Sequence, residues 1–255
     1  MKNLNWRLLD FSINRASENM AIDEALLRCY EGENVLRLYG WKPSAVSIGR
    51  HQHIKDEVNL HSLRKFGFDC VRRISGGGAV FHDEIGELTY SVVTDVKNLE
   101  EITIKDTYFE ISKIIFQPLE KLGIILDYDQ IHCPSVFSGG KKISGNAQAR
   151  EGKTILQHGT ILVKFRPEIM YSVLKARLGR TQESMVHSVY QHITTFSNLL
   201  REDIDPQSIA NYLVNYLTKN YSSQYIRGEL TLEEKQMSST LATDKYESEE
   251  WLYSR

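Results

Sequence analysis

Three consecutive glycines at positions 76–78 constrain the fold more than any other feature of the chain. They lie between residues 68–73 and 87–93, two short segments with the composition of β-strands, so they predict a turn between strands. Glycine adopts backbone dihedrals that other residues avoid, and it lets a ligand reach the main chain. Because Arg72 and Arg73 directly precede it, the turn is either a hairpin with solvated arginines or a site where backbone N–H groups meet an anion.

The other hydrophobic patterns alternate between the periodicities of helices and strands. Further strands are predicted at 35–39, 45–48, 141–143 and 155–163, and helices at 17–30, 105–122, 206–217 and 231–246. Ser17 is the expected N-cap of the first helix. Several strands joined by short turns predict an α/β (α+β) fold, with a mixed, largely antiparallel sheet flanked by helices. We expect a main domain over 1–199 and a helical C-terminal tail, 200–255, packed on the same domain.

Composition argues against several classes of protein. The formal net charge of −2 gives no general attraction to nucleic acid or to an anionic membrane. No segment approaches the roughly 20 apolar residues that span a bilayer, and the start of the sequence lacks the apolar run of a signal peptide. We therefore expect a cytoplasmic protein that binds neither nucleic acid nor membranes. Cys29, Cys70 and Cys133 lack metal-site spacing and are expected to be thiols.

A second glycine-bounded segment, residues 138–150, carries the adjacent lysines Lys141 and Lys142. Alternation along a strand sends neighbouring side chains to opposite faces, so only one lysine should point inward. Such an ammonium group can hold a carboxylate and an α-phosphate together while negative charge builds up between them. The alternative is an edge hairpin whose lysines discourage aggregation.

Two further strand ends carry polar groups. Residues 47–53 close a strand with Gly, Arg, His and Gln, and residues 156–162 contain His158 beside Gly159. Each segment alone also fits a polar turn or a structural histidine, and the same holds for His82. The cations that lie beside glycines at strand ends are Arg50, Arg72, Arg73, Lys141, Lys142 and Arg150. If these strands are adjacent, they form a cationic, backbone-lined pocket suited to an adenylated acid or a nucleotide.

In this order the motifs resemble the lipoate–protein ligase A family, which has the biotinyl/lipoyl ligase fold and is related to octanoyltransferases. The resembling segments are an opening helix at 17–26, a second motif at 47–59, the glycine loop at 72–83, and a lysine segment at 141–147 and 158–160. The resemblance extends from residue 6 to residue 200, and residues 246–251 are similar as well. Four motifs in the family's order are more specific than any one of them.

The resemblance implies a two-step attachment of lipoate to a specific lysine of a carrier protein. The carboxylate of lipoate attacks the α-phosphate of ATP with the help of Mg²⁺, which gives lipoyl-AMP and pyrophosphate. The lysine ε-amine then attacks the mixed anhydride, while the enzyme supplies position and charge stabilisation. The implied carriers are lipoyl domains of 2-oxoacid dehydrogenase complexes or the glycine-cleavage H protein.

The same resemblance assigns the site residues. It makes Lys142 the catalytic lysine that bridges the carboxylate and phosphate oxygens, and it leaves metal ligands and the individual roles of the histidines unassigned. The implied ligand-binding residues are Arg50, Arg73, Ser75, Gly76, Gly77, Gly78, Ala79, His82, Ser144, Gly145, Asn146, Ala147, His158 and Gly159.

Two departures from the ligase pattern keep other functions open. The chain is too short for the extra C-terminal domain that many ligases need for adenylation, so we expect a separate small accessory subunit or the use of preformed lipoyl-adenylate. Cys133 is the second departure, because a cysteine there is typical of octanoyltransferases, in which the thiolate forms a thioester. We favour the ligase because residues 49–52 and 76–80 resemble ligases more closely.

Two further alternatives are weaker. A biotin–protein ligase fits the second glycine motif and the lysine segment less well. A non-catalytic module that binds lipoate or an acyl-adenylate is the alternative of another class, and the presence of Lys142 argues against it.

Overall fold

The computed structural model describes residues 5–99, 103–129, 134–176 and 179–255 of the chain. These residues form an eight-stranded sheet and a three-stranded sheet covered by helices, which confirms the predicted mixed α/β fold. Within these ranges, no helix combines the length and the apolar character that a transmembrane span requires.

The bounds of the elements are as follows. The strands are β1 (Trp6–Asn14), β2 (Asn34–Trp41), β3 (Ala45–Ile48), β4 (Asp69–Arg72), β5 (Val80–His82), β6 (Glu87–Asp95), β7 (Asp127–Asp129), β8 (Ser135–Ser138), β9 (Lys141–Glu151), β10 (Thr154–Leu162) and β11 (Tyr225–Gly228). The helices are α1 (Ala16–Arg28), α2 (Ile54–Glu57), α3 (Leu60–Phe66), α4 (Ile104–Glu120), α5 (Pro167–Val173), α6 (Gln182–His192), α7 (Phe196–Leu200), α8 (Pro206–Asn220), α9 (Leu232–Leu241) and α10 (Glu249–Leu252).

The large sheet has the strand order β11-β1-β2-β6-β10-β9-β8-β7. Strand β1 runs parallel to both of its neighbours, and the remaining pairs are antiparallel. The small sheet has the order β4-β3-β5, with β3 parallel to β4 and antiparallel to β5. The glycine run therefore connects the two edge strands of the small sheet, while the lysine segment lies in the large sheet.

The large sheet is covered on both faces, and β2 shows this clearly because all of its residues are buried. Leu36 and Leu38 belong to the core that α4 and α8 form on one side. Val35 packs with Leu26 of α1 on the other side. Successive side chains of a strand point to opposite faces, so a strand covered on both sides carries apolar side chains on both, as Val35, Leu36 and Leu38 do.

Helix α1 buries polar residues as well as apolar ones. Asn19, Asp23 and Glu24 are buried together with Met20. Arg37 of β2 donates to Asp23 at 2.9 Å and to the side-chain oxygen of Asn19 at 2.6 Å. Because a buried charge is costly unless it is paired, these contacts fix the helix in one position on the sheet.

The prediction that Ser17 caps this helix was wrong. Arg15 is the N-cap residue, and its backbone N–H donates to the Glu18 carboxylate at 2.9 Å. Ser17 instead lies in the first turn, where its hydroxyl donates to Glu247 at 3.2 Å. The hydroxyl that could have capped the helix is used in a contact with a distant part of the chain.

The residues after position 199 pack closely on the rest of the chain. Helix α8 joins the core beside α4, β11 pairs with β1, and α9 packs on α1. Arg7 of β1 donates to Glu234 of α9 at 2.7 Å. The division between 1–199 and 200–255 stays a prediction, but β11 shows that the second range contains a strand as well as helices.

Strands with an irregular apolar pattern are not predicted in full from the sequence. Strand β1 alternates poorly between buried and exposed residues, and its pairing with β2 shifts register between Leu9 and Ser12. Strand β9 continues to Glu151, well beyond the predicted 141–143. Its second half is polar and contains Gly145, and pairing with β10 on one side stabilises it.

The contacts of Glu24 predict how the C-terminal residues contribute to stability in acid. Lys245 donates to both of its carboxylate oxygens, at 2.9 and 2.8 Å, and Tyr246 also donates to it. Burial opposes ionisation of Glu24, but the hydrogen bonds from Lys245 and Tyr246 outweigh it and hold the pKa of this carboxyl below its usual value. Such a group stabilises the fold above its unfolded pKa, and the contribution is lost as the pH falls through its folded pKa.

We therefore expect Glu24→Gln to lower the free energy of unfolding near neutral pH by about 1–3 kcal/mol. The variant should also flatten the fall in stability below about pH 5, because the residue no longer titrates. Urea denaturation at a series of pH values measures both effects. Glu250→Gln, which removes an exposed carboxylate from the same region, is the control. Equal pH dependence in Glu24→Gln and the wild type would contradict the assignment.

Candidate active site

Residues 75–79 of the glycine loop surround the guanidinium of the buried Arg73. The Arg73 Nε donates to Ser75 Oγ at 3.1 Å, and one terminal nitrogen donates to Ser47 O and Oγ, both at 3.1 Å. The other terminal nitrogen donates to Gly76 O and Gly78 O, both at 2.7 Å. An arginine has five N–H donors, and these contacts use all of them. The loop carbonyls therefore turn inward, onto the arginine.

The charge of Arg73 is balanced by hydroxyl and carbonyl dipoles. Burial lowers the pKa of the Arg73 guanidinium to about 10, which still leaves it charged at neutral pH. A buried cation of this kind is tolerable only when its hydrogen-bonding groups are satisfied. The arginine thus shapes the loop, and its predicted contact with a ligand stays a prediction.

A chain of hydrogen bonds leads from the loop to helix α1. Ser75 Oγ lies 2.6 Å from His158 Nε2, and His158 Nδ1 lies 3.1 Å from Asp23. Asp23 also accepts a hydrogen bond from Tyr39 at 2.9 Å. Burial opposes ionisation of Asp23, but the contacts with His158 and Arg37 hold its pKa below the usual value. The imidazole of His158 is therefore fixed between a carboxylate and the glycine loop.

A second chain of serine, histidine and carboxylate runs from β3 and β5 of the small sheet to the first residue of β6 in the large sheet. Ser47 Oγ is 2.8 Å from His82 Nε2, and His82 Nδ1 is 2.6 Å from Glu87 Oε1. Thr89 donates to the same carboxylate oxygen at 2.6 Å. The indole of Trp41 stacks on the imidazole with 3.9 Å between ring centroids. Both chains run from serine through histidine to a carboxylate, and both serines accept from the same arginine.

Residues 49–52 pack directly against the glycine loop, as the predicted pocket requires. Arg50 N donates to Ser75 O at 2.9 Å, and Gly49 N donates to the side chain of Gln52 at 2.8 Å. A Cβ atom at Gly49 would lie 2.1 Å from Gly77 O, so this close approach requires glycine. Arg50 is exposed, and its role toward a ligand stays a prediction.

Arg72 holds the main chain behind this segment. It donates to Arg50 O at 3.0 Å, to Gln52 O at 2.7 Å and to Leu252 O at 2.8 Å. Trp251 Nε1 donates in return to Arg72 O at 2.7 Å. The two consecutive arginines thus both bind backbone carbonyls, one in the glycine loop and the other in residues 49–52 and α10.

The adjacent lysines of β9 point in different directions, as strand alternation predicts. Lys141 is exposed and donates to Tyr190 O at 3.2 Å. Lys142 is half-buried, and its ammonium group lies beside Gly145. Strand β9 pairs with β10, where His158 contacts the glycine loop. Lys142 is therefore the lysine that we retain as the candidate catalytic residue.

Asn146 fixes the main chain next to the predicted nucleophile. Its backbone N–H and its side-chain amide both donate to Pro134 O, at 3.1 and 3.0 Å. Tyr90 donates to Asn146 Oδ1 at 2.7 Å, and a Cβ at Gly159 would lie 2.0 Å from that oxygen. Cys133 directly precedes this proline but lies outside the described residues.

The structure gathers only some of the predicted cations at the loop. Arg72 binds carbonyls behind it, Lys141 donates to Tyr190, and Arg150 donates to Thr107 at 2.7 Å. The remaining predicted binding residues, Ser144 and Ala147, lie on β9, where Ala147 pairs with His158 of β10. The surroundings of the glycine loop are therefore less cationic than the sequence predicts.

Sequence reasoning misses the residues that hold the site from behind. They are Asp23, Tyr39, Trp41, Glu87 and Tyr90. Ser47 lies in the predicted segment 47–53, but the sequence does not indicate its contact with His82. Asp23 could have been identified from the sequence because it is a carboxylate on the helix face that carries the buried residues of α1. Glu87 likewise is a carboxylate at the start of a buried strand.

The described residues contain no group of three or more His, Cys, Asp or Glu side chains that could hold a metal ion. Mg²⁺ prefers carboxylate oxygens and substrate phosphates, often with several waters. The protein side chains of the described ranges therefore do not form a magnesium site by themselves.

Comparison with known proteins identifies the family. Residues 15–218 match the family model of the lipoyl protein ligase A/B catalytic domain. The chain belongs to this family. The octanoyltransferase LipM of Carboxydothermus hydrogenoformans is 32% identical, with 97% of this chain and 98% of that protein covered. The octanoyltransferase LipM of Bacillus subtilis is 29% identical, and all of both chains is covered.

Solved structures agree on the fold. The bipartite lipoate protein ligase of Thermoplasma acidophilum has a TM-score of 0.84 at 26% identity, over 98% of this chain and 96% of that one. A lipoate-protein ligase A bound with ATP has a TM-score of 0.82 at 24% identity, covering 98% and 99% of the two chains. The protein is thus an enzyme of the ligase and octanoyltransferase family, which argues against the non-catalytic alternative. The full-length relatives favour the transferase over the ligase.

The approach of Gly49 to Gly77 predicts the effect of one added methyl group. Gly49→Ala should lower the free energy of unfolding by about 1–3 kcal/mol, because backbone must move to admit the Cβ. It should also shift the amide NMR signals of residues 75–79. Gly76→Ala is the control for stability, since a Cβ there meets no atom within 4 Å. Equal destabilisation by the two variants would contradict the proposed close packing.

Proposed function

We propose that the protein is an octanoyltransferase, which moves an octanoyl group from acyl-carrier protein to a lysine of a lipoyl domain or of the glycine-cleavage H protein. The observation that carries the proposal is the similarity to octanoyltransferases over 97% of this chain and 98% of the relative. Cys133 supports it, because a transferase needs a nucleophile whereas an ATP-dependent ligase does not. This reverses the order of the two functions that the motifs alone favour.

In the proposed reaction the Cys133 thiolate attacks the thioester carbonyl of octanoyl-carrier protein. The carrier thiol leaves with the proton that the cysteine gave up, and octanoyl-Cys133 forms. The neutral ε-amine of the acceptor lysine then attacks this thioester, forms the amide and loses a proton to the departing cysteine sulfur. Both acyl bonds that break are thioesters, so the transfer needs no ATP.

The other two thiols are poorly suited to this role. Burial raises the pKa of the Cys70 thiol to about 12, which leaves almost no thiolate at neutral pH. Burial also raises the pKa of the Cys29 thiol, which lies at the C-cap of α1. Asn146 of the lysine segment holds the carbonyl of Pro134, the residue that follows Cys133.

Lys142 has the properties of the group that stabilises the oxyanion. The Lys142 side chain is half-buried and its ammonium lies beside Gly145, where a positive charge acts more strongly on a developing negative charge than in water. Strand pairing places it opposite Phe137 of β8, the strand that follows Cys133. In both acyl transfers the thioester oxygen becomes negative, so one ammonium can serve both steps.

The acyl-enzyme is the first test. We expect intact-mass measurement after incubation with octanoyl-carrier protein to show one octanoyl adduct, and Cys133→Ser to abolish it. Cys29→Ser and Cys70→Ala are the matched controls and should keep the adduct. If Cys133→Ser transfers octanoyl to a lipoyl domain at the wild-type rate, the proposed nucleophile is wrong.

The adjacent lysines supply a second test. Lys142→Ala should lower kcat for octanoyl transfer by about 10²–10³-fold, the usual cost of removing an oxyanion-stabilising group. Lys141→Ala removes the same charge one residue away, but its side chain contacts Tyr190, so kcat should change by less than about twofold. Similar losses in the two variants would show that general charge, rather than the position of Lys142, matters.

A lipoate ligase remains the second candidate, and the similarity to the bipartite ligase at 26% identity favours it. It would use ATP, lipoate and Mg²⁺, form lipoyl-AMP and require a separate accessory subunit for adenylation. One assay distinguishes the ligase from the transferase. The ligase modifies a lipoyl domain with synthetic lipoyl-adenylate and does so equally well after Cys133→Ser, whereas the transferase requires octanoyl thioester and the thiol.

A further inference from the structure

Arg73 is the point at which both serine–histidine–carboxylate chains meet. Its Nε contacts Ser75 Oγ, and one terminal nitrogen contacts Ser47 Oγ, each at 3.1 Å. Its remaining terminal nitrogen binds the carbonyls of Gly76 and Gly78. The serines, histidines and carboxylates behind it are all buried.

We propose that Arg73 is the positioning residue of the glycine loop, and that the chains Ser75–His158–Asp23 and Ser47–His82–Glu87 are two supports that fix its guanidinium. The activity part of the test below rests on the proposed transferase function, and the spectroscopic part does not.

The directions of the hydrogen bonds follow from counting donors. Each serine oxygen accepts from Arg73, so the single hydroxyl hydrogen is free to donate to the histidine Nε2. The histidine must then carry its proton on Nδ1 and donate it to Asp23 or Glu87. A proton on Nε2 would leave the buried serine hydrogen without an acceptor, which is costly. One arrangement of protons therefore satisfies the serine hydroxyls and the histidine ring nitrogens of both chains.

The guanidinium in turn sets the direction of the loop amides. The C=O and N–H groups of a trans peptide point in opposite directions. Because the carbonyls of Gly76 and Gly78 point to Arg73, the N–H groups of Gly77 and Ala79 point away from it. Gly77 is exposed and has a positive φ of 93°, which glycine tolerates. The support behind the arginine thus fixes two outward-facing donors in front of it.

The planar guanidinium of Arg73, with hydrogen-bond donors on three nitrogens, is essential to this arrangement. A lysine at position 73 would keep the positive charge but has only three donors on one nitrogen, too few for two serines and two loop carbonyls. Removal of a serine hydroxyl frees one side of the guanidinium, and removal of both leaves only the carbonyl contacts. The two serine changes should therefore act through the same residue and should not be independent.

The first experiment reads the histidine ring nitrogens by ¹⁵N NMR and needs no substrate. We expect His158 and His82 both to be protonated on Nδ1. Ser75→Ala should change the Nε2 signal of His158, Ser47→Ala that of His82, and Arg73→Lys should change both and shift the amide signals of residues 76–79. Ser197→Ala removes a half-buried hydroxyl in α7 and should change neither histidine.

The second experiment measures octanoyl transfer. Arg73→Lys should lower kcat about a hundredfold, because misplacement of a loop by about 1 Å is enough for such a loss. Each serine variant should lower kcat about tenfold in the wild-type protein and have little effect in the Arg73→Lys background, since their contacts act through the arginine. A purely structural role would instead lower stability without this dependence.

Three results would overturn the proposal: Nε2-protonated histidines, unchanged loop amides in Arg73→Lys, or serine effects that persist in the Arg73→Lys protein. If the wild type transfers no octanoyl group, the transferase function fails, and the NMR measurements alone decide the role of Arg73.

Discussion

The carboxylate of Asp23 organises most of the candidate site. It is buried where α1 meets the large sheet, and it accepts hydrogen bonds from Arg37, Tyr39 and Ser91 while contacting His158. A buried ion pair adds little net stability, but loss of one partner leaves an uncompensated charge and costs about 3–5 kcal/mol. The sheet can therefore shift relative to α1 only at a high cost. Because Asp23 contacts the His158 imidazole and the imidazole contacts Ser75, the hydroxyl of Ser75 is held in place as well.

The overall architecture could be predicted from the sequence because apolar periodicity reports burial directly. Strand β2 and helix α4 are examples, since β2 carries buried apolar residues on both faces and α4 contributes its apolar face to the core. Strand β1 could not, because its partners β2 and β11 lie elsewhere in the chain. The second half of β9 could not, because its own residues are mostly polar, although it pairs with the adjacent strand β10. Propensity cannot detect such pairing when the residues themselves are polar or irregular.

The candidate site, like the fold, could be predicted only in part. The glycine run and the lysine segment could be recognised because glycine and lysine have unusual local chemistry. What those residues do depends on tertiary contacts: Arg73 and Arg72 both look like ligand-binding cations in the sequence, yet both bind backbone carbonyls. The supporting carboxylates Asp23 and Glu87 could not be assigned, because their partners lie on other strands. Local sequence therefore identifies the glycine run and the lysine segment better than the buried carboxylates behind the glycine loop.

The contact between Arg72 and α10 has a consequence for the order in which the molecule assembles. The arginine and the carbonyl of Trp251 are separated by 179 positions in the chain. Closing so long a loop has a large entropic cost, so contacts of this kind form after local structure. On the ribosome, the small sheet can pair while residues 49–52 still lack this support. A chain interrupted between Cys133 and Trp251 would carry the glycine loop and the cysteine but would lack the contacts of Arg72 with the carbonyls of Trp251 and Leu252.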